Sequence, residues 1–218
     1  MRRDRAEAAA TAAIAGAIAG LALPRRLRVP GVALAALAGA VAGHRGIYDW
    51  GHRSGVAAFV ADSSWALTGA VGGVSVLALQ RIIDPDGYRP DLSVRRNRHV
   101  YEGGFTFRRG FIVTSGNVVT NAAANTATVN QRRVALIDRH EDLHIWQQRA
   151  FGPLYPLLYG GWAVIGAAIG ALVWLVRPGT FDTTVTTIAY YDNPFEVWAY
   201  RNDRNWPPRA ADPDLLWR

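Results

Sequence analysis

Twenty-two consecutive residues, Tyr155 to Val176, carry no charged side chain. A helix of that length matches the hydrocarbon core of a bilayer. Tyr155 and Trp174 would stand about 28 Å apart along it, at the depth of the two interfaces. Three further apolar stretches precede it: Ala8 to Leu23, Gly31 to Gly43 and Val56 to Leu79. The first two, of 16 and 13 residues, are short for independent spans and are joined by PRRLRVP, which suits a helical hairpin or an interfacial pair. The third contains Asp62, Ser63 and Ser64, which must face other helices or an interface rather than lipid. A mean hydropathy of only +0.03 averages these stretches with very polar ones.

The expected fold class is therefore an α-helical membrane protein, a bundle of three to four apolar helices with a small β-containing segment, integral to a membrane and in contact with its lipid. Composition divides the chain into membrane helices over 1–80, a strand-rich segment ending in a helix over 81–152, a transmembrane or re-entrant helix over 153–176, and a C-terminal segment over 177–218. The N-terminal MRRDR and its Ala-rich run look like a signal peptide, but Pro24, Arg25 and further apolar segments follow, so a retained anchor is expected.

The absence of Cys excludes a disulfide scaffold and any Cys-ligated metal. All 24 basic residues are Arg, and the net charge of +7 favours anionic lipid headgroups. These Arg are scattered with no recognition motif, so no nucleic-acid partner is expected. Each apolar stretch carries a GxxxG: Gly16 and Gly20, Gly39 and Gly43, Gly69 and Gly73, Gly166 and Gly170. That spacing lets a second helix approach closely, which implies a compact bundle, a homo-oligomer or a larger membrane complex.

Between Gln80 and Gly152 the pattern changes. VYEGGFTFRRGFIVTSGNVVT alternates and is rich in β-branched and aromatic residues, which predicts two or three short strands with turns at Gly103 and Gly104, Arg109 and Gly110, and Ser115 to Asn117. VALIDRHEDLHIWQQRAFGP then reads as a helix ended by Gly152 and Pro153. The tail after Trp206 reads as irregular.

That helix holds HEDLH. The i, i+4 spacing puts His140 and His144 on one face, a bidentate platform for a tetrahedral Zn2+ ion. Glu141 beside it can take a proton from a water whose pKa the metal lowers toward about 7. With 5 His and 4 Glu in 218 residues, chance supplies about 0.002 such matches, so accident is a poor explanation. A catalytic site wants a third ligand, and the remaining Glu are Glu7, Glu102 and Glu196. Asn193 can N-cap a helix with Pro194 at its first position, which puts Glu196 in the first turn, where the helix dipole favours a carboxylate. Tyr200, one turn onward, can donate to a developing oxyanion. His44, Asp49 and His52 offer an alternative third ligand or a polar interfacial loop. Gln147 or Asp138 is placed to orient a ligand imidazole.

HExxH followed by a downstream helix carrying Glu resembles the gluzincin type of zinc metallopeptidase. Asn193, Pro194, Glu196, Ala199 and Tyr200 look like the third-ligand helix of bacterial HExxH membrane or membrane-associated proteins. The match covers about 30 residues in two blocks. It implies a zincin-like unit of strands and HExxH helix in a bacterial cell membrane. It also implies His140, His144 and Glu196 as zinc ligands, Glu141 as the base and a polypeptide as substrate. A looser likeness is to integral-membrane metallopeptidases of the CAAX-protease and heat-shock type, which also place hydrophobic sequence between HExxH and the ligand Glu.

That order sets a geometric problem. A single straight span from Tyr155 to Val176 starts His140 and Glu196 on opposite sides of a bilayer. Either the 177–192 segment returns, or the apolar segment breaks, with Gly160 and Gly161 as the break. Two rival functions stand beside the peptidase: a noncatalytic membrane subunit that holds the metal for stability, and a metal-dependent hydrolase of lipid or another non-peptide bond.

Overall fold

Small residues let the first two helices close on each other. In the computed structural model, which describes residues 2–107 and 110–217, α1 (Arg2–Ala22) and α2 (Arg25–His44) form an antiparallel hairpin turned at Leu23 and Pro24. A Cβ on Gly39 would lie 2.6 Å from the Thr11 carbonyl oxygen, and one on Gly43 would lie 2.8 Å from that of Glu7. The Thr11 hydroxyl donates to the Gly39 carbonyl at 2.7 Å, so the GxxxG face of α2 is filled from within the chain. The PRRLRVP sequence is not the connector expected. The helix resumes at Arg25 and carries Pro30 inside it, so α2 reaches 20 residues.

The third apolar stretch is two helices, α3 (Arg53–Asp62) and α4 (Leu67–Ile83), bent by 85° at the break. Asp62, the last residue of α3, lies at the break and is buried in an ion pair with Arg149. Among the described residues two helices, α2 and α7 (Leu154–Val176), are long and apolar enough to cross a membrane, or three segments if the bent pair is one span. The molecule is otherwise mostly helical with one small sheet, and it divides into two compact units, Met1–Pro153 and Leu154–Arg218.

In the first unit β1 (His99–Val100), β2 (Val113–Ser115) and β3 (Val118–Thr120) form a sheet of order β1-β3-β2, parallel between β1 and β3 and antiparallel between β2 and β3. Gly116, at φ +58°, makes the first half of the two-residue β2–β3 turn, as a II′ hairpin requires. The expected turn at Ser115 to Asn117 is thus present, whereas Arg109 of the Arg109–Gly110 turn lies outside the described residues. Val100 and Val119 pack with Leu92, Ala122, Ile137 and Ile145 into a core beneath the sheet. The helix expected over the HEDLH region runs as α5 (Gln131–Leu136), a π turn (Ile137–Glu141) and α6 (Asp142–Phe151). It stops at Gly152, whose φ of +52° favours glycine.

In the second unit α7 is unbroken through Gly160 and Gly161, so the break considered there does not occur. The chain comes back instead. α8 (Phe181–Thr186) and a π turn (Thr187–Tyr191) run antiparallel along α7. A Cβ on Gly170 would meet the Val185 Cα at 2.8 Å, and one on Gly166 the Ala189 Cα at 2.8 Å. The return is helical, so its backbone groups are satisfied within the segment, the condition a path beside an apolar helix demands. α9 (Pro194–Asn202) follows. The tail has no regular element, yet Ala211 and Leu216 are buried against Tyr191, and the Trp217 N–H donates to Asp192 at 3.0 Å.

Candidate metal centre

The helices that carry His144 and Glu196 both begin after a π turn, a widened turn that re-aims the side chains following it. His140 and Glu141 lie in the first π turn and His144 on α6. The two imidazoles survive the irregularity as neighbours, with ring centroids 4.9 Å apart and nearly perpendicular at 78°. Gln147, one turn beyond on α6, places its Oε1 2.8 Å from His144 Nδ1. With the hydrogen on Nδ1, donated to that amide oxygen, Nε2 is left to face a metal. Gln147 thus does what was expected of it. Asp138 does not; it pairs with Arg96 and Arg98.

On α9 the expected cap is present. The Asn193 side chain accepts from the Phe195 N–H at 3.1 Å, Pro194 occupies the first helical position and Glu196 sits in the first turn. Glu196 is only 2% exposed, and the Tyr159 hydroxyl on α7 donates to its Oε1 at 2.6 Å. The Asn193 amide donates to the Tyr159 carbonyl at 3.3 Å, and Phe195 packs on Tyr155 with centroids 4.9 Å apart. The helical return therefore delivers Glu196 to the first turns of α7, the end of that helix next to the His-bearing segment in the chain. This removes the objection that a straight α7 raised.

One ring nitrogen of His140, one of His144 and one carboxylate oxygen of Glu196 all lie within 4.8 Å of one another, and all three side chains are buried. Two imidazoles and one carboxylate are a donor set suited to zinc with one position left open. Among the described residues no other group of His, Asp and Glu comes together in this way. Glu7 instead binds Arg95 and the Trp50 indole, and Glu102 binds Arg89. His52 and Asp49 pair with each other at 2.7 Å on the exposed surface, and His44 is exposed.

The Glu141 carboxylate accepts a hydrogen bond from the Thr114 hydroxyl at 2.6 Å. Thr114 is the middle residue of β2, an edge strand of the sheet. Thr114 and Tyr159 are the two site residues that sequence reasoning missed; each meets its partner across 27 or 37 residues, with no local pattern to announce it. Tyr200, expected to serve an oxyanion, packs on Tyr191 with centroids 5.9 Å apart in the cluster formed with the tail.

Charge fixes the HEDLH helix from two sides. Arg149 makes a two-pronged pair with Asp62, Nε to Oδ1 and Nη2 to Oδ2 each at 2.9 Å, and donates to the Asn97 carbonyl. Tyr48 and Asn117 also donate to Asp62 Oδ2, at 3.0 and 3.2 Å. Burial and the neighbouring Asp62 charge push the Tyr48 phenol well above its ordinary value, so it stays a donor. Arg98, also buried, pairs with Asp138 and Asp142. Burial raises the Asp142 carboxyl, against the pull of Arg98. No family model, curated protein or solved structure matches this chain.

Proposed function

We propose that this chain is an integral-membrane, zinc-dependent metallopeptidase of the gluzincin kind, acting on a membrane-associated or loosely folded polypeptide. The observation that carries the reading is the buried His140, His144 and Glu196 donor set, with Glu141 one residue along from the first ligand. Zinc held there would polarise a carbonyl oxygen and acidify a water molecule near neutral pH.

The chain's own residues do the rest. Glu141 takes the proton of the attacking water and returns it to the leaving amine. The Thr114 hydroxyl donates to Glu141 Oε2 and holds that carboxylate in place. Gln147 fixes the His144 tautomer, and Tyr159 fixes the Glu196 carboxylate. β2 offers an open edge beside Glu141, where an extended peptide can add as a further strand. Tyr200→Phe tests the remaining phenol: a lowered kcat with unchanged zinc content supports a role at the oxyanion, and an unchanged kcat removes it.

The deciding experiment measures zinc per chain and hydrolysis of an unfolded polypeptide such as casein, in detergent-purified protein. One zinc is expected in the wild type and none in His140→Ala, His144→Ala or Glu196→Ala. Glu141→Gln should keep the zinc and lose hydrolysis. Zinc retained in Glu196→Ala breaks the third-ligand assignment. A zinc-loaded wild type that cleaves no polypeptide, or a fully active Glu141→Gln, overturns the peptidase in favour of the noncatalytic subunit or a hydrolase of non-peptide bonds.

A further inference from the structure

A second polar cluster lies in the first unit, built from the residue after α2, the segment before β1, and β1 itself. The Arg45 guanidinium lies over the face of Tyr88, with Cζ 4.2 Å from the ring centroid, and its Nη2 donates to the Tyr101 hydroxyl at 2.8 Å. His99 is 1% exposed and its ring centroid is 6.2 Å from that of Tyr88. Tyr88 is therefore the shared neighbour of Arg45, His99 and Tyr101, whose ring centroid is 5.5 Å away.

Each of the first three residues has a buried polar atom with no hydrogen-bond partner: Arg45 Nη1, Tyr88 Oη and His99 Nδ1. The Ser93 hydroxyl beside Tyr88 donates to the Arg89 carbonyl and accepts from the Val100 N–H. Arg89, Arg95, Arg96 and Arg98 all pair with carboxylates, whereas Arg45 has no acidic partner among the described residues. Buried polar groups are almost always satisfied, so three orphans beside an unneutralised guanidinium call for a ligand.

The chemistry of the atoms says which kind. A guanidinium N–H and a phenol O–H are donors, and a neutral imidazole with its hydrogen on Nδ1 is a third. Burial and the charge of Arg45 hold the His99 pKa well below its ordinary value, which keeps the ring neutral. Three donors gathered about the Tyr88 ring, one of them cationic, match the chemistry of an oxyanion. Arg45 also directly follows α2, which is long and apolar enough to cross a membrane, and a spanning α2 would bring it to the depth of lipid phosphates.

We propose that Arg45, Tyr88 and His99 form a binding site for a phosphate group, carried by an anionic lipid headgroup or by free phosphate. The site is independent of the zinc centre and of any peptidase activity. The test uses the detergent-purified full chain, with inorganic phosphate followed by thermal unfolding and phosphatidylglycerol retention followed by native mass spectrometry against phosphatidylcholine. Binding in the wild type should weaken about tenfold or more in Arg45→Gln and less in Tyr88→Phe. Arg26→Gln, at the far exposed end of α2, should bind as the wild type does. Phosphate binding that depends on Arg45 identifies the free anion; retention of phosphatidylglycerol alone, with the same dependence, identifies the lipid. Binding of neither, or binding unchanged in both variants, overturns the site and leaves ordered water as the partner of the three atoms. Should Arg45→Gln fail to fold, Tyr88→Phe decides, because it keeps the ring beneath the guanidinium and removes only the hydroxyl.

Discussion

The two helices that carry the donor set are anchored by opposite means. α6 is held by charge, through Arg149 on Asp62 and Arg98 on Asp138 and Asp142. α9 is held by a cap, a hydrogen bond to its carboxylate and ring packing: the Asn193 side chain on the Phe195 N–H, the Tyr159 hydroxyl on Glu196, and Phe195 on Tyr155. A buried ion pair is costly to assemble and far costlier to leave half made, whereas a cap or a single phenol is worth little more than its own hydrogen bond. Loss of any one group should therefore be felt much more in the first unit than in the second.

The largest effect should come from Arg149→Met, which strands the buried Asp62 carboxylate. Denaturant unfolding in detergent should show a loss of about 3–5 kcal/mol. The double variant Asp62→Leu, Arg149→Met should recover much of it, and a single-variant loss below about 1 kcal/mol would show that the pair is not an anchor. On the other side, Tyr159→Phe should cost about 1.5–3 kcal/mol, because a buried carboxylate loses a donor. Gln147→Ala should leave the fold intact while lowering zinc affinity about 10–100-fold in a chelator competition. An unchanged affinity would mean that the His144 tautomer needs no support. Asn193→Ala should cost about 1 kcal/mol, the usual worth of an N-cap.

The smallest effect is a slope. The folded His99 resists protonation, so the unfolded chain binds that proton more readily. Its share of stability is whole above the unfolded value of about 6.5 and is lost as pH falls below it. In phosphate-free buffer Tm should drop between pH 7 and 5, and the drop should be shallower in His99→Asn.

The motif was legible because its geometry is local. A four-residue spacing brings His140 and His144 together even across a π turn, and Asn193, Pro194 and Glu196 announce a helix start in four residues. The apolar run of α7 was legible through its length alone. The sequence was silent where partners are distant. Asp62 interrupts an apolar stretch only because Arg149 waits 87 residues later, and no periodicity records that. PRRLRVP looked like a linker because it is charged and holds two prolines, yet α2 starts inside it. The π turns leave no mark in a pattern read at α-helical spacing.

The helical return along α7 also bears on the order of assembly. Unit-two contacts close over short loops: Tyr159 meets Glu196 over 37 residues, and Gly166 meets Ala189 over fewer. Arg98 reaches Asp138 and Asp142 over 40 and 44 residues, but the buried anchor of α6 must wait for Asp62 to find Arg149, over 87. Low contact order means fast closure. Pulse-labelled hydrogen exchange should therefore find the amides of α8 and α9 protected before those of α6. Glu196, the last of the three in the chain, would be first in position, waiting on the two histidines.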